Sequence, residues 1–450
     1  MGDARPDHRL AAVDHGLFTQ HHAIGRNLVI QCVWVYEHAV DFEAVKRFHR
    51  NLGYGFLQRR IERSPLPFAR HRWVVDQRPL GIEFDESVRP RAELSDWADE
   101  RSQLRIDPVS GPGWHIGVVS LDDGSTAISL VLSHYLIDGL GLVLTLVDGI
   151  MGNTRDFGYP SPLARTRPRA LAQDARQAIR DVPEVGRALR VAARLTRQNR
   201  KNAAPAPAPA PAPPPVSVRD ETLVVPGITI RTDLAEWEAC AKKLGGTGNT
   251  LGAAFVAKFA ERIGRYRASD GVVTLQLPVN ERTERDTRAN AMSFARVTLD
   301  PSVLTTDLSF ARSAIKEALT THRETPDDSL QVAWLVPFTP KRTFKRMDDA
   351  VVADPDLPVF YSNLGDVGSV VNRLDGTDAE YATARVTAQH ETRRWLERMG
   401  GQMTVQSLRI PGSVVISINA YQPGIENTKP ALRELAARTL AEFGLTGRIE

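Results

Sequence analysis

A run of alternating proline and alanine divides this chain of 450 residues into two parts. Residues 205–215 read PAPAPAPAPPP, with seven prolines in eleven positions. Because proline has no backbone N–H, the run cannot join a regular hydrogen-bond ladder and favours extended polyproline II, at about 3.1 Å per residue. The segment is therefore either a semi-rigid strap of roughly 34 Å or a flexible surface loop of biased composition, and in both cases it marks a boundary.

The parts on either side of this segment each mix strands with helices. In the first part, runs typical of strands occupy 27–37 and 114–133, the latter broken by the turn signal Asp-Asp-Gly at 122–124, and 41–52 has helical spacing with Asp41 as its cap. In the second part, strands are predicted at 272–279, 293–299, 403–410 and 413–421, and helix caps are predicted at Asp233, Asn249 and Thr428. This alternation favours layered α/β units over a helical bundle.

The overall charge is nearly balanced, with 57 Lys and Arg against 54 Asp and Glu and a formal net charge of +3. This balance argues against a dedicated nucleic-acid-binding protein, and a hydrophobic content of 42% excludes a disordered chain. The start, MGDARPDHRL, has no apolar signal core, and no stretch reaches the roughly 18 uninterrupted apolar residues of a membrane span. The two cysteines, Cys32 and Cys240, lie far apart in the sequence, so we expect no metal site and a cytoplasmic protein.

One stretch departs from this charge balance. Residues 165–201 carry eleven Arg and Lys against three acidic residues, a local excess of +8. The arginines recur at helical intervals beside Ile179, Val185 and Leu189, which predicts a basic amphipathic helix. Such a helix suits an anionic lipid surface, a phosphate-bearing substrate or an acidic carrier protein, or else it is a solvated helix packed along the body.

The residues that carry chemistry follow an apolar strand of the first part, where the sequence reads SHYLIDG (133–139). His134, at the end of the strand, is held by rigid backbone and can act as a general base near neutral pH. Gly139 allows the positive φ that a tight turn needs, and Asp138 either orients the histidine or anchors the turn on a distant arginine. Taken alone, a His–Asp pair at this spacing more often marks a structural histidine.

The segment SHYLIDG resembles the HHxxxDG motif of the CoA-dependent acyltransferase superfamily. Members of this superfamily are similar to chloramphenicol acetyltransferase and include condensation domains and the wax ester synthase/diacylglycerol acyltransferases. Other segments resemble the superfamily in order along the chain: LAAVDHGLF (10–18), LQRRIERSPLPFARHRWV (57–74), LPVNERTERDTRANAMSF (277–294) and YSNLGDVG (361–368). The resemblance implies an α/β fold of two chloramphenicol-acetyltransferase-like subdomains that form a V-shaped pseudodimer with a tunnel between them. These subdomains would span 1–164 and 220–450, and 165–219 would connect them.

The resemblance also assigns roles to individual residues. His134 takes the place of the catalytic base, Asp138 and Gly139 are structural, and Arg60 matches the arginine that pairs with the aspartate. Candidates for contacts with the substrate or with a developing oxyanion are Ser133, Asn290, Ser293, Tyr361 and Asn363. Two positions depart from the superfamily pattern: Ser133 replaces the first histidine of the motif, and Ala289-Asn290 stands where a Gly-Asn pair is usual.

The function implied is that of a free-standing acyltransferase, which moves an acyl group from a thioester to a hydroxyl and forms an ester. The resemblance implies no bound cofactor; acyl-CoA or a phosphopantetheinyl carrier would be a co-substrate, and the acceptor would be a small-molecule or lipid alcohol or amine. One alternative is a condensation-like enzyme of natural-product biosynthesis that uses a carrier-bound acyl group. Another is an inactive scaffold of the same fold, which Ser133 mildly supports. An acyl carrier protein or an anionic membrane surface is the partner expected for 165–201, with no nucleic acid, and the protein would then lie at the membrane periphery.

Overall fold

The computed structural model describes residues 8–78, 81–202, 221–283, 286–325, 328–350 and 353–450. The Pro-Ala segment 205–215 lies outside these residues, so its extended conformation stays a prediction. Among the residues described, no helix is both long enough and apolar enough to cross a bilayer.

Helices and strands alternate along the chain. The helices are α1 (Ala12–Ala23), α2 (Phe42–Leu52), α3 (Leu94–Gln103), α4 (Gly139–Met151), α5 (Arg167–Asn202), α6 (Leu234–Lys243), α7 (Gly248–Arg262), α8 (Ser309–Glu324), α9 (Asp328–Val332), α10 (Lys341–Ala350), α11 (Gly368–Val371), α12 (Arg393–Arg398) and α13 (Lys429–Glu442). The strands are β1 (Asn27–Tyr36), β2 (Arg59–Glu62), β3 (Arg72–Val75), β4 (Ile82–Phe84), β5 (Trp114–Ser120), β6 (Thr126–Ser133), β7 (Gly227–Asp233), β8 (Val273–Asn280), β9 (Met292–Leu299), β10 (Val359–Asp366), β11 (Tyr381–Gln389), β12 (Gln402–Ile410), β13 (Ser413–Tyr421) and β14 (Arg448–Ile449). Short 3₁₀ turns cover Gly55–Gln58, Arg91–Glu93 and Ala333–Phe338.

Two large sheets organise the two halves. The first has five strands in the order β11-β1-β6-β5-β4, and the second has seven in the order β14-β7-β13-β12-β10-β8-β9. The hairpin predicted around the Asp-Asp-Gly turn is β5–β6, in which Trp114 pairs with Leu132 and Ser120 with Thr126. The α/β class expected from the sequence is therefore confirmed.

Strand β11 ties the halves together, because it comes from the second half of the chain yet completes the first sheet. It pairs antiparallel with β1 over nine positions, from Asn27 opposite Gln389 to Val35 opposite Tyr381. The apolar core of the first half accordingly includes residues of the second, such as Val371 and Leu408. The indole N–H of Trp34 also donates to the Val371 carbonyl at 2.8 Å. The halves thus share one core at their junction, while the boundaries 1–164 and 220–450 stay predictions.

The helix caps show where local sequence signals hold and where one fails. The carboxylates of Asp41 and Asp233 and the hydroxyl of Thr428 accept N–H groups of the first helical turn, as predicted. The prediction of Asn249 as a cap is wrong, because α7 begins earlier. Thr247 has extended backbone, and its hydroxyl accepts the Thr250 N–H at 3.3 Å, so the helix begins at Gly248.

The basic stretch forms the helix α5 of 36 residues, with Pro183 in its interior. Two of its acids face the first half: Asp174 accepts the Ser64 hydroxyl at 2.7 Å, and Asp181 pairs with Arg70 at 3.0 Å. The exposed surface of the helix carries arginines together with Ile179, Val182 and Leu189, which are 71%, 60% and 58% exposed. The helix therefore packs along the body through its acids and presents a basic, partly apolar face outward.

Candidate active site

The motif SHYLIDG occupies the sharp turn between β6 and α4. The Ser133 N–H donates to the Gly113 carbonyl and the His134 N–H donates to the Leu28 carbonyl, each at 2.9 Å, so the end of β6 is fixed to two neighbouring segments. Asp138 caps α4, since its carboxylate accepts the Gly141 N–H at 2.8 Å. Rigid elements on both sides thus hold the imidazole of His134 in one place, which is what a catalytic group requires.

An apolar cavity lies between the two halves, and His134 lines it. From the first half, β1 and α4 contribute walls, and β11 contributes a third wall from the second half of the chain. The remaining wall comes from the second sheet and its flanking segments. The lining includes Ile30, Cys32, Trp34, Leu142, Leu146, Pro278, Met292, Phe360, Leu364, Ala382, Ala384, Val386 and Leu408. His134 therefore lies on the wall of a largely hydrocarbon cavity.

The environment of His134 keeps its imidazole neutral. Burial lowers the pKa of His134 from its usual 6.5. Its own backbone carbonyl, the Asp138 carboxylate and Asn290 each raise this pKa, but they offset the effect of burial only in part. The ring nitrogen Nδ1 is buried and has no hydrogen-bond partner among the described residues. A neutral imidazole is the form that can accept a proton, so the site has the protonation state of a general base.

Asp138 is anchored by Arg282, not by Arg60. The Arg282 guanidinium donates to the Asp138 carboxylate at 2.8 Å, and both side chains are only 3% exposed. Arg60 instead donates to the Val109 carbonyl at 2.9 Å, so the predicted pairing of Arg60 with Asp138 is wrong. Side chains alternate between the faces of a strand, and on β2 the buried position falls to Arg59, which donates to the Leu136 carbonyl inside the motif turn at 2.7 Å.

Two buried carboxylates hold the segment 289–291 of the second half against the motif turn. Asp14, on α1, accepts the N–H groups of Ala289 and Asn290, each at 2.8 Å. Asp138 accepts the Ala291 N–H at the same distance. Arg282 closes the arrangement by donating to the Ala289 carbonyl at 3.0 Å. Sequence reasoning left Asp14 and Arg282 without a role, although both stand in segments that resemble the superfamily, LAAVDHGLF and LPVNERTERDTRANAMSF.

The candidate substrate-contacting residues are mostly engaged elsewhere. Ser133 is fully buried and its hydroxyl accepts the Tyr135 N–H, while the Asn290 amide donates to the carbonyl of His134 at 3.4 Å and to Asp14. Ser293 hydrogen-bonds His322 at 2.6 Å. None of these three is among the described residues that line the His134 cavity.

Strand β10 borders the cavity through other residues than those predicted. The Tyr361 hydroxyl contacts Ser407 at 3.0 Å, and the Asn363 amide donates to Asn249 at 3.0 Å, both at a small separate pocket. Their alternating neighbours Ser362 and Leu364 line the His134 cavity instead. Gly139 lines it as well, and a Cβ at this glycine would stand 3.1 Å from the Leu364 side chain, so the two halves approach each other closely here.

No family model matches the sequence, and no curated protein matches it. Solved structures do match its fold. The first condensation domain of the calcium-dependent antibiotic synthetase, with a substrate analogue, has a TM-score of 0.56 at 15% identity, over 97% of this chain and 96% of that one. The wax ester synthase/diacylglycerol acyltransferase from Marinobacter aquaeolei VT8 has a TM-score of 0.52 at 14% identity, over 95% and 99%.

A nonribosomal peptide synthetase, FmoA3, is also similar, with a TM-score of 0.50 at 16% identity. The match covers 98% of this chain but 45% of the synthetase, so the chain spans less than half of that protein. At such low identity these likenesses concern the fold, and they extend across both halves. The chain therefore has the two-subdomain α/β fold that condensation domains share with the wax ester synthase/diacylglycerol acyltransferase.

Proposed function

We propose that the protein is an acyltransferase that moves an acyl group from a thioester to an acceptor hydroxyl and forms an ester. The observation that carries this proposal is the position of His134, held at the end of β6, with a lowered pKa, in an apolar cavity between the halves. Acyl-CoA or an acylated phosphopantetheine arm would be the donor. The hydrocarbon lining of the cavity suits an acyl chain or a lipid-like acceptor, because apolar walls favour apolar ligand surface.

In the proposed reaction, His134 accepts the hydroxyl proton as the acceptor oxygen attacks the thioester carbonyl. The new C–O bond gives a tetrahedral oxyanion, and its collapse breaks the C–S bond. The thiolate that leaves takes the proton back from the imidazolium, so atoms and charge balance. The N-terminus of α4 at Gly139 lies on the cavity wall and is the proposed source of N–H groups for the oxyanion. Because Ser293 and Asn290 have other partners, they support the turn and its surroundings in this proposal.

The second candidate function is that of a condensation-like enzyme, which joins a carrier-bound acyl group to an amine or hydroxyl. Its support is the similarity to condensation domains over nearly the whole chain. The chemistry of His134 is the same in both candidates, since each needs one proton removed from the acceptor. The two candidates differ in the group that carries the acyl thioester, coenzyme A or a carrier protein, and in the acceptor atom, oxygen or nitrogen.

The test is the detection of products by mass spectrometry after incubation with a panel of acyl-CoA thioesters and alcohols. A second set of reactions contains acylated carrier proteins and amines. We expect the wild type to form ester. The rate of ester formation should fall about a hundredfold or more in His134→Ala, in line with the contribution of a general base. His38→Ala, at a histidine 46% exposed on the surface, is the matched control and should retain activity.

Each outcome has a clear reading. Ester from acyl-CoA supports the first candidate, and product only from acylated carriers or with amines supports the second. Turnover by His134→Ala equal to that of the wild type would contradict the role of the histidine. A folded wild-type protein that makes no product in either set would favour the inactive scaffold.

We further propose that the outer face of α5 binds an anionic membrane surface and brings the enzyme to lipid substrates. The exposed arginines provide charge complementarity, and Ile179, Val182 and Leu189 provide apolar contact that a purely ionic partner does not need. An acidic carrier protein is the competing partner, and co-sedimentation with anionic vesicles distinguishes the two.

A further inference from the structure

A second cavity, a polar crevice, lies where the two halves meet. It encloses about 320 Å³ and is lined by α3 and β1 from the first half and by β7, β11, β13, β14 and α13 from the second. Strand β11 separates it from the His134 cavity: Tyr381 borders the crevice, Ala382 and Ala384 border the apolar cavity, and Thr383 and Arg385 border both. The crevice therefore adjoins the proposed active site without containing His134.

Several polar atoms in the crevice have no partner within the described part of the chain. Asn419 is only 2% exposed, yet neither its amide nitrogen nor its amide oxygen makes a hydrogen bond. The same holds for Nη2 of Arg385 and Nε of Arg433. Buried polar groups in folded proteins almost always have partners, since an unpaired one costs about 1–3 kcal/mol. Oε1 of Glu450, on the same lining, also lacks a hydrogen-bond partner among the described residues, and these four residues point to a ligand that supplies the missing partners.

The charges of the crevice favour an anion. Its carboxylate, Glu450, already has counter-charges, because Arg448 lies 3.0 Å from it and Arg91 lies 3.6 Å away. The Tyr381 hydroxyl donates to Oε2 of Glu450, while Oε1 accepts no hydrogen bond from a described residue. Arg385 uses Nη1 for Asp99, at 2.7 Å, and Nε for Gln31. Arg433 has no ion pair with any described residue. A guanidinium with free N–H groups is the side chain best suited to a carboxylate or a phosphate.

Gly227 lets two polar side chains of the crevice approach each other. A Cβ at this position would stand 2.7 Å from Nδ2 of Asn419 and 3.0 Å from Nη1 of Arg385. The two polar side chains therefore pack against the backbone of Gly227, and a side chain at this position would collide with both of them. Gly227 and Asn419 face each other on β7 and β13, so this geometry is set by the register of the second sheet.

We propose that this crevice binds a small organic anion, with its phosphate or carboxylate group on Arg433 and Arg385. Asn419 would contact a neighbouring polar group of the same ligand, because an amide both donates and accepts. The ligand would bridge the two halves at a place apart from His134, although Thr383 and Arg385 line both cavities. The proposal thus does not depend on that function, and its test does not measure acyl transfer.

The experiment is isothermal titration calorimetry of the full chain with inorganic phosphate and, separately, with citrate, at constant ionic strength. We expect saturable binding of at least one probe, and which one binds distinguishes a phosphate from a carboxylate ligand. Arg433→Gln and Asn419→Leu should each weaken that binding, the former by about tenfold or more because a charged donor is lost. Arg438→Gln, an exposed arginine paired with Glu434 on the same helix, is the matched control and should bind as the wild type does.

Two results would overturn the proposal. One is the absence of saturable binding of both probes to a wild-type protein that is folded. The other is equal binding by the wild type, Arg433→Gln and Asn419→Leu, which would mean that the anions act on the surface in general. Unfolding temperatures of each variant without a probe separate loss of binding from loss of fold.

Discussion

Arg282 connects the motif turn to its own segment through one guanidinium. It pairs with Asp138 of the motif turn and donates to the carbonyls of Asp286, Arg288 and Ala289 in its own segment. Because the pair with Asp138 is almost fully buried, loss of the arginine would leave a carboxylate in the interior without a counter-charge. Such a loss typically costs about 3–5 kcal/mol, whereas an ordinary hydrogen bond contributes about 1 kcal/mol.

We therefore expect Arg282→Gln to lower the free energy of unfolding by about 3–5 kcal/mol. Arg60→Gln, which removes only the contact with the Val109 carbonyl, should lower it by about 1 kcal/mol. Denaturant titrations of both variants measure the difference directly. If Arg60→Gln were the more destabilising of the two, the pairing inferred from the superfamily pattern would hold in solution and the geometry described above would not.

The lowered pKa of His134 makes a prediction about the pH profile of the proposed reaction. A general base works in its neutral form, and burial moves the pKa of this imidazole below 6.5. The acid limb of kcat/KM should therefore lie below pH 6.5, so the enzyme keeps more than half of its maximal rate at that pH. An inflection at or above 6.5 that belongs to His134 would contradict the environment described for the ring.

At the scale of single residues, the sequence located His134 and Asp138 but not the partners that hold them. The motif is local, and a strand end followed by a capped helix can be predicted from seven residues. Arg282 lies 144 positions from Asp138, and only the packing of the halves brings the two together. The residues of β10 that line the His134 cavity were missed by one position, because the sequence pattern did not define which face of that strand meets the cavity.

At the scale of elements, the outer face of α5 is the feature with the clearest consequence for binding. Arg176→Gln, Arg180→Gln and Arg190→Gln combined should weaken binding to anionic vesicles about a hundredfold, at about 1 kcal/mol for each arginine near the surface. Co-sedimentation with phosphatidylglycerol vesicles measures this effect, and binding by the wild type should fall as salt rises. Vesicles of phosphatidylcholine alone should bind weakly.

The matched control for α5 lies on α8. Arg312→Gln, Lys316→Gln and Arg323→Gln combined remove the same charge from another exposed helix and should leave vesicle binding unchanged. Equal losses in both triple variants would assign the effect to net charge. Wild-type binding to an acidic carrier protein but not to anionic vesicles would replace the membrane by the carrier as the partner of α5.

Several elements of the second half were predictable, because strands such as 413–421 carry strong local patterns, and this prediction has the same bounds as β13. The pairing of β11 with β1 was not predictable. The two strands are separated by more than three hundred residues, and the hydrophobic pattern of a strand does not specify its partner. The position of the segment 289–291 was not predictable either. Its N–H groups donate to two aspartates of the first half, and local sequence propensity does not specify such distant partners.

At the scale of the whole molecule, buried histidines make the fold sensitive to acid. Burial lowers the pKa of His15 and His115 to about 4 and of His21 and His71 to about 3, against 6.5 in an unfolded chain. Below pH 6.5 the unfolded state therefore binds more protons than the folded state. Stability should fall as the pH drops from 6.5 towards 4, by about 1.4 kcal/mol per pH unit for each such histidine.

Unfolding temperature or denaturant midpoint measured from pH 7 to pH 4.5 tests this expectation. His115→Gln removes one of the four groups and should reduce the slope of unfolding free energy against pH by about 1.4 kcal/mol per pH unit. A stability that is constant between pH 6.5 and pH 5 would mean that these histidines take up protons in the folded state.

The contribution of β11 to the first sheet has a consequence for how the protein folds during its synthesis. The last residue of β1 is Tyr36, and the strand that must pair with it begins only at Tyr381. At roughly 5–20 residues per second, a ribosome needs about 20–70 s to traverse the distance between them. During that interval the nascent first sheet exposes an apolar edge strand, which is a site for aggregation or for capture by chaperones. The first half therefore cannot complete its own fold as it emerges, and its assembly waits for nearly the whole chain.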